Sequence, residues 1–298
     1  MNRNQPASVR PWLQTNWDWR AALNFIGGGT GTGLLIAAAF AGGTAYLGLV
    51  LGALASVAFG LMWVWMEIGK PWRAINVVFH PQTSWMTRES LVAGPLFIVA
   101  IAAAWTGVLW LVVAAALLAA LFLYCQARIL KASKGIPAWR EPAIVPLVIA
   151  TGLAEGTGLA IVALVATGNL ASRWLFAALV VVLIVRDLMW RQYRRALARS
   201  GAPKRALRVL EEINLSFSLA GNWGPVVLLL ASLPEHGAAN ALALIAAIAA
   251  VGAGWFLKFT IVARAAFNQG FALPALPIRG TGARVAGTKP GWEKPAQG

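Results

Sequence analysis

The chain has 298 residues, of which 59% are hydrophobic and only 12% charged. Soluble domains carry about 25% charged residues, so this chain lacks the polar surface to cover itself in water. A net charge of +15 raises the thought of nucleic acid, but the basic residues lie between apolar stretches, where cytoplasmic retention of Lys and Arg explains them.

Met1 to Arg20 is polar and holds Arg3, Arg10, Asp18 and Arg20. A secretory signal would need an apolar core there, so residues 1–20 are read as an N-terminal cytoplasmic segment. The first helix is predicted from about Ala21 to Ala41 and the second from Tyr46 to Ile68. Ser90 to Ala132 is too long for one crossing, since about 1.5 Å per residue would carry it roughly twice through a core of about 30 Å. It is broken near Trp105-Thr106-Gly107 into a hairpin. Four further helices follow, Ile144 to Thr167, Ala171 to Trp190, Ile213 to Leu233 and Ala238 to Ala266. The expected fold is all-α, a polytopic bundle of eight transmembrane helices over 21–266, with an extended cytoplasmic tail at 267–298.

Eight spans put both termini on one side with the loops after helices two, four and six. Those regions and the helix ends beside them hold 24 of the 25 Lys and Arg residues, and the opposite loops hold only Arg173. Short basic loops stay in the cytoplasm. The expected location is a bacterial or archaeal cytoplasmic (inner) membrane, crossed many times, with both termini inside. The tail is rich in Gly and Pro, including Pro274, Pro277, Pro290 and Pro295. It reads either as a disordered terminus or as an arm that orders against a subunit, with Trp292 as an anchor.

The first helix enters through Trp17-Asp18-Trp19-Arg20 and runs into Gly27-Gly28-Gly29-Thr30-Gly31-Thr32-Gly33. Five glycines in seven residues weaken an isolated helix. In a membrane such a face admits a neighbouring helix, or a flat apolar ligand such as a quinone. No strand precedes the run, so it is no phosphate-binding fingerprint. The most polar segment near the inner surface runs from Glu67 through Gly69-Lys70-Pro71-Trp72-Arg73 to Ser84-Trp85-Met86-Thr87-Arg88-Glu89. Pro71 ends a helix, and Glu89 is placed at the start of the next, where the macrodipole favours it. Two carboxylates converging on one loop, with Arg73 and Arg88 as partners, suit a site that takes up or releases protons at the membrane surface.

Glu155 falls about half-way through the fifth predicted helix and reads either as functional or as a hydrogen bond to a neighbouring helix. Asp187 is expected to pair with Arg186 or Arg191. Asn222, before Trp223-Gly224-Pro225, marks a kink in the seventh helix. Cys125, the single cysteine, can form no internal disulfide and hold no cluster alone. His80 and His236, the only histidines, fall on opposite sides and cannot share a haem. Redox cofactors are therefore expected in partners rather than within this chain.

Glu67-x-Gly69-Lys70-Pro71-x-Arg73-Ala74-x-Asn76 followed by Ser84-Trp85-Met86-Thr87-Arg88-Glu89 resembles the membrane-anchor subunits of the DMSO reductase family. Motif agreement is confined to about residues 65–97 and, more loosely, 17–35, while the eight-helix plan extends the likeness over most of the chain. The resemblance implies a subunit that binds a quinone, menaquinone or ubiquinone, and exchanges electrons with an iron–sulfur subunit. That subunit in turn serves a molybdopterin-containing catalytic subunit. Glu89 and Arg73 match family positions. Glu67 stands where the family usually has histidine, which keeps a titratable group but alters the binding geometry. Trp72, Asn24 and Trp19 join the expected quinone-binding and proton-relay set by proximity. With the basic face cytoplasmic, the partners and their substrate would be intracellular, which is similar to the membrane subunits of phenylacetyl-CoA:acceptor oxidoreductases. The alternatives are a secondary transporter with Glu155 and Asn222 at a midplane site, and a purely structural anchor.

Overall fold

The computed structural model describes residues 7–41, 45–67, 76–168, 173–233 and 238–273. Its long helices are α1 (Trp19–Ala41), α2 (Tyr46–Glu67), α3 (Trp85–Thr106), α4 (Leu109–Ala132), α6 (Ile144–Ala166), α7 (Arg173–Arg199) and α11 (Ala239–Phe259). A four-residue helix α5 (Pro137–Arg140) precedes α6. An amphipathic helix α8 (Lys204–Glu212) leads into α9 (Asn214–Ser218), a π turn (Leu219–Trp223) and α10 (Gly224–Ala231). A second π turn, Thr260–Arg264, extends α11.

The chain is a helical membrane bundle. Among the described residues seven segments, not the expected eight, are long and apolar enough to cross a membrane: α1 to α4, α6, Asn214–Ala231 and Ala239–Arg264. The eighth expected span lies in α7. That helix runs nine residues beyond its predicted end at Trp190 and holds Arg186, Asp187 and Arg191 within its length, so its charges separate it from the rest. The other boundaries agree with expectation to within about five residues. The largest shift is at α3, which starts at Trp85 because Ser84 caps it, its side chain accepting from the Thr87 N–H at 3.2 Å. The predicted hairpin break is present, with Gly107 at φ 66° closing α3 and its N–H reaching the Ala103 carbonyl at 2.9 Å. Only glycine enters that left-handed region without strain. The expected kink at Asn222 is the π turn Leu219–Trp223.

Burial identifies the centre. Within their apolar windows α1 is 72% and α6 67% buried, against 22–44% for the other five spans. α1 packs on α2, α4, α6 and α11. The glycine run explains how: a methyl group at Gly33 would fall 2.0 Å from the Gly152 carbonyl oxygen of α6, and one at Gly31 would fall 2.5 Å from the Ala53 carbonyl oxygen of α2. Backbones this close leave no space for a flat ligand, so this stretch of the run serves helix packing. The outer faces of the peripheral helices expose Ile98, Leu117, Val227 and Ile245, as a lipid-facing surface does.

The two ends of the described chain meet. Ala7–Val9 (β1) pairs antiparallel with Phe271–Leu273 (β2), Leu13 bridges Phe267, and the Gln14 N–H donates to the Ala266 carbonyl at 3.0 Å. Trp17 then stacks on Trp139 with centroids 4.8 Å apart. The entry of α1 and the exit of α11 therefore lie at one end of the bundle. The first residues of the tail, up to Leu273, belong to this ribbon, while Trp292 lies outside the described residues.

A Gly33→Val or Gly156→Val substitution is expected to destabilise the bundle by about 3 kcal/mol or more, at or above the usual range for overpacking. Gly48→Ala, where nothing lies within 4 Å, should stabilise α2 by up to about 1 kcal/mol. Thermal unfolding of the detergent-solubilised protein checks both.

Candidate functional site

Two buried polar assemblies surround α1. The first lies at the end of the bundle where the two ends of the described chain meet, between the start of α1, the end of α2, the start of α3 and the end of α4. Asn24 on α1 is buried, and its backbone carbonyl accepts from Nε2 of Gln126 on α4 at 3.1 Å. Gly28, one turn further along α1, makes the space: a methyl there would fall 2.2 Å from that same nitrogen. Glu89 on α3 is 4% exposed, and its carboxyl lies beside the Gln126 side chain. It sits in the second turn of α3, not at the helix start as expected, because the helix begins at Trp85.

Several atoms of this assembly are buried without a hydrogen-bond partner among the described residues: Asn24 Oδ1, Glu89 Oε1, Gln126 Oε1 and, on α2, Trp63 Nε1. Each such group loses its hydration without compensation, so three acceptors and one donor on four adjoining helix ends ask for an explanation. Trp19, 47% exposed, meets Trp63 edge-on at 4.8 Å, and Phe59 meets Trp63 at 5.8 Å. The aromatic rings lie toward α2 and the unpaired acceptors toward α3 and α4.

Glu67 is half-buried at the end of α2 and falls within electrostatic reach of Asp18 and Arg20. Asp18 and Arg20 form their own ion pair at 2.9 Å. The hydrogen bond from Arg20 holds the Asp18 carboxyl below the usual carboxylate range. The two expected carboxylates thus occupy adjoining groups, Glu67 beside the α1 entry and Glu89 beside Gln126. Trp72 and Arg73 lie outside the described residues. Arg88 turns away from Glu89. It donates to the Pro81 carbonyl at 2.7 Å and the Gln82 carbonyl at 3.0 Å, and its guanidinium lies 4.1 Å from the centroid of Trp85. Arg128 covers the same indole at 4.3 Å and bonds the Tyr124 hydroxyl at 2.6 Å. Thr87 fastens the preceding loop by donating to the Val77 carbonyl.

The second assembly crosses the middle of the bundle. Lys258 on α11 donates to Oε2 of Glu155 on α6 at 2.6 Å, and the two side chains are 2% and 0% exposed. Thr30 on α1 donates to the same oxygen at 2.8 Å and accepts from the Trp255 indole at 2.9 Å. Arg186 on α7, 0% exposed, bonds Asn222 Oδ1 at 2.7 Å and the carbonyls of Ala250 and Gly221 at 2.9 and 2.5 Å. Asp187 pairs with Arg191 at 2.7 Å and accepts from the Trp223 indole at 3.1 Å. Of the two partners expected for Asp187, Arg191 is the one found. Two cations and two anions are buried here, so the interior charge balances. Glycines again make room, because a methyl at Gly29 would fall 2.2 Å from Lys258 Nζ and one at Gly254 would fall 2.6 Å from Glu155 Oε1.

Sequence reasoning missed Gln126 and Lys258. Each is a polar residue inside an apolar span, which is itself the signal. Lys258 and Arg186 were counted as loop charges, and both are buried among helices. Glu155 and Asn222, the midplane groups expected of a transporter, each bond a cation on a neighbouring helix, and this supports a structural role for them. In comparison with known proteins, no family model matches the chain and no curated protein matches it.

Lys258→Met leaves Glu155 as an uncompensated buried charge and should cost about 3–5 kcal/mol. The Glu155→Met/Lys258→Met double variant should recover most of that loss. Chemical or thermal unfolding of the three proteins in detergent measures the coupling.

Proposed function

We propose that this chain is the membrane-anchor and quinone-binding subunit of a molybdenum and iron–sulfur oxidoreductase. The observation that carries the reading is the set of unpaired buried polar atoms at Asn24, Glu89, Gln126 and Trp63. Their chemistry fits the group. Acceptors on Asn24, Glu89 and Gln126 match quinol hydroxyls, and the Trp63 indole N–H matches a quinone carbonyl. A bound quinone supplies two-electron chemistry coupled to two protons. Asn24, Gln126 and Trp63 would bind and orient it, while Trp19 and Phe59 enclose the apolar side. Glu89 would hold the proton exchanged at its carboxyl, with Glu67 and the Asp18–Arg20 pair leading toward the surface. Arg73 and Trp72 belong to the same reading through the motif alone.

Topology and partners complete the proposal. With α7 as an eighth crossing, both ends of the chain fall on one side of the membrane, in keeping with the ribbon that joins Ala7–Val9 to Phe271–Leu273. Asp187 pairs with Arg191 and Arg186 bonds Asn222 and two backbone carbonyls, and this compensation would let a charged helix cross. That end carries nearly all the basic residues, so it is assigned to the cytoplasm of a bacterial or archaeal cell. An iron–sulfur electron-transfer subunit and a molybdopterin catalytic subunit would dock there. An intracellular substrate suits this orientation, and phenylacetyl-CoA, a thioester found inside the cell, is the one that the orientation suggests.

In the complex assembled with its partner subunits, Glu89→Gln should lower quinone-coupled turnover by about a hundredfold, within the usual range for a general acid or base. Turnover with an artificial dye that accepts electrons at the catalytic subunit should stay unchanged. Wild-type quinone turnover in the variant would contradict the assignment.

A further inference from the structure

A cavity of about 570 Å³ opens where α7 ends and α8 and α9 begin. Its polar wall is Arg191, Arg194 and Arg195, three arginines within five residues of α7, with Glu211 of α8 opposite. Its apolar wall is Leu215, Leu219 and Trp223 of the next helix, which are 69%, 54% and 39% exposed. Those side chains face outward from the bundle, toward the space that acyl chains occupy.

The depth of the cavity fits a headgroup. Counting along α7 from the exposed Trp174, Arg191 and Arg195 lie about 26 Å and 32 Å away at 1.5 Å per residue. A bilayer core is about 30 Å thick, so the arginines stand at the inner headgroup level and the leucines below it. Two of the cations are committed already. Arg191 pairs with the buried Asp187, and Arg194 pairs with Glu211. Arg195 is exposed and has no ion pair among the described residues. The wall keeps a surplus of one positive charge after Asp187 and Glu211 are set against the three arginines.

We propose that this cavity binds the phosphodiester headgroup of an anionic phospholipid, with Arg195 on the phosphate and an acyl chain lying along Leu215, Leu219 and Trp223. Basic recesses between membrane helices on the cytoplasmic side are suited to such headgroups. A water-soluble phosphate would use the arginines but gain nothing from the leucines. A lipid uses both, and the joint presence of the two walls selects it. The site is separate from the Asn24–Glu89–Gln126 assembly and does not depend on its function.

The test uses the full-length protein in detergent, titrated with phosphatidylglycerol, with phosphatidylcholine, or with inorganic phosphate, while the thermal unfolding midpoint is followed. Phosphatidylglycerol should raise the midpoint at concentrations at least tenfold below those at which phosphatidylcholine acts, and inorganic phosphate should not reproduce the effect. Arg195→Gln should abolish that tenfold preference. Arg208→Gln, an equal charge loss on the exposed face of α8 outside the cavity, should keep it. Equal response to the two lipids would overturn the proposal and leave the cavity to a protein partner. Equal loss in both variants would also overturn it, since that reports diffuse attraction. A full effect from inorganic phosphate would show a soluble-anion site instead.

Discussion

The glycine face of α1 lets neighbouring helices come to backbone contact with it, and the buried polar groups take their places from that approach. Without a hydrophobic driving force between helices in lipid, close packing and interhelical hydrogen bonds must supply the cohesion. α1 uses both. Gly31 and Gly33 admit the backbones of α2 and α6, and Gly28 and Gly29 admit the polar ends of Gln126 and Lys258. The same seven-residue run therefore joins the mid-bundle ion pair to the assembly around Asn24.

These two assemblies differ in how their charges are compensated. In the middle of the bundle the charges are matched, Lys258 with Glu155 and Arg191 with Asp187, and Arg186 is bonded through three of its nitrogens. Removing one partner there is costly because the other is left charged in a dry interior. At the end beside the β1–β2 ribbon, Glu89 has no cationic partner among the described residues. Asn24, Glu89 and Gln126 each keep an acceptor atom without a partner among the described residues, as Glu155 Oε1 and Asp187 Oδ1 do in the middle of the bundle. A charge-matched set holds helices together, and the set around Glu89 is the one proposed to meet a donor from outside.

Much of the architecture was legible in the sequence. Apolar length alone placed the α3–α4 hairpin break near Trp105-Thr106-Gly107, and the Asn222-Trp223-Gly224-Pro225 run marked the break that is a π turn. The helix count was less legible, because α7 carries its charges internally and so lacks the apolar signature of its neighbours. Glu89 was recognised, but its setting was not, since Ser84 starts α3 five residues earlier than the apolar run suggests. Gln126 and Lys258 escaped for a shared reason. Each stands out in the sequence as a polar residue inside an apolar span, but the glycine on another helix that makes room for it appears only in three dimensions. The charge asymmetry also needs refinement. Arg186 and Lys258 belong to the interior, and Arg191, Arg194 and Arg195 line a cavity rather than a plain solvated face.

The central claim is that the unpaired acceptors on α1, α3 and α4 receive a quinone. The most direct measurement is photolabelling of the intact complex with a photoreactive quinone analogue, followed by peptide mapping. The account predicts label on peptides containing Asn24, Trp63, Glu89 and Gln126, displaced by excess unmodified quinone. Label confined to other surfaces, or label there that excess quinone does not displace, would contradict it.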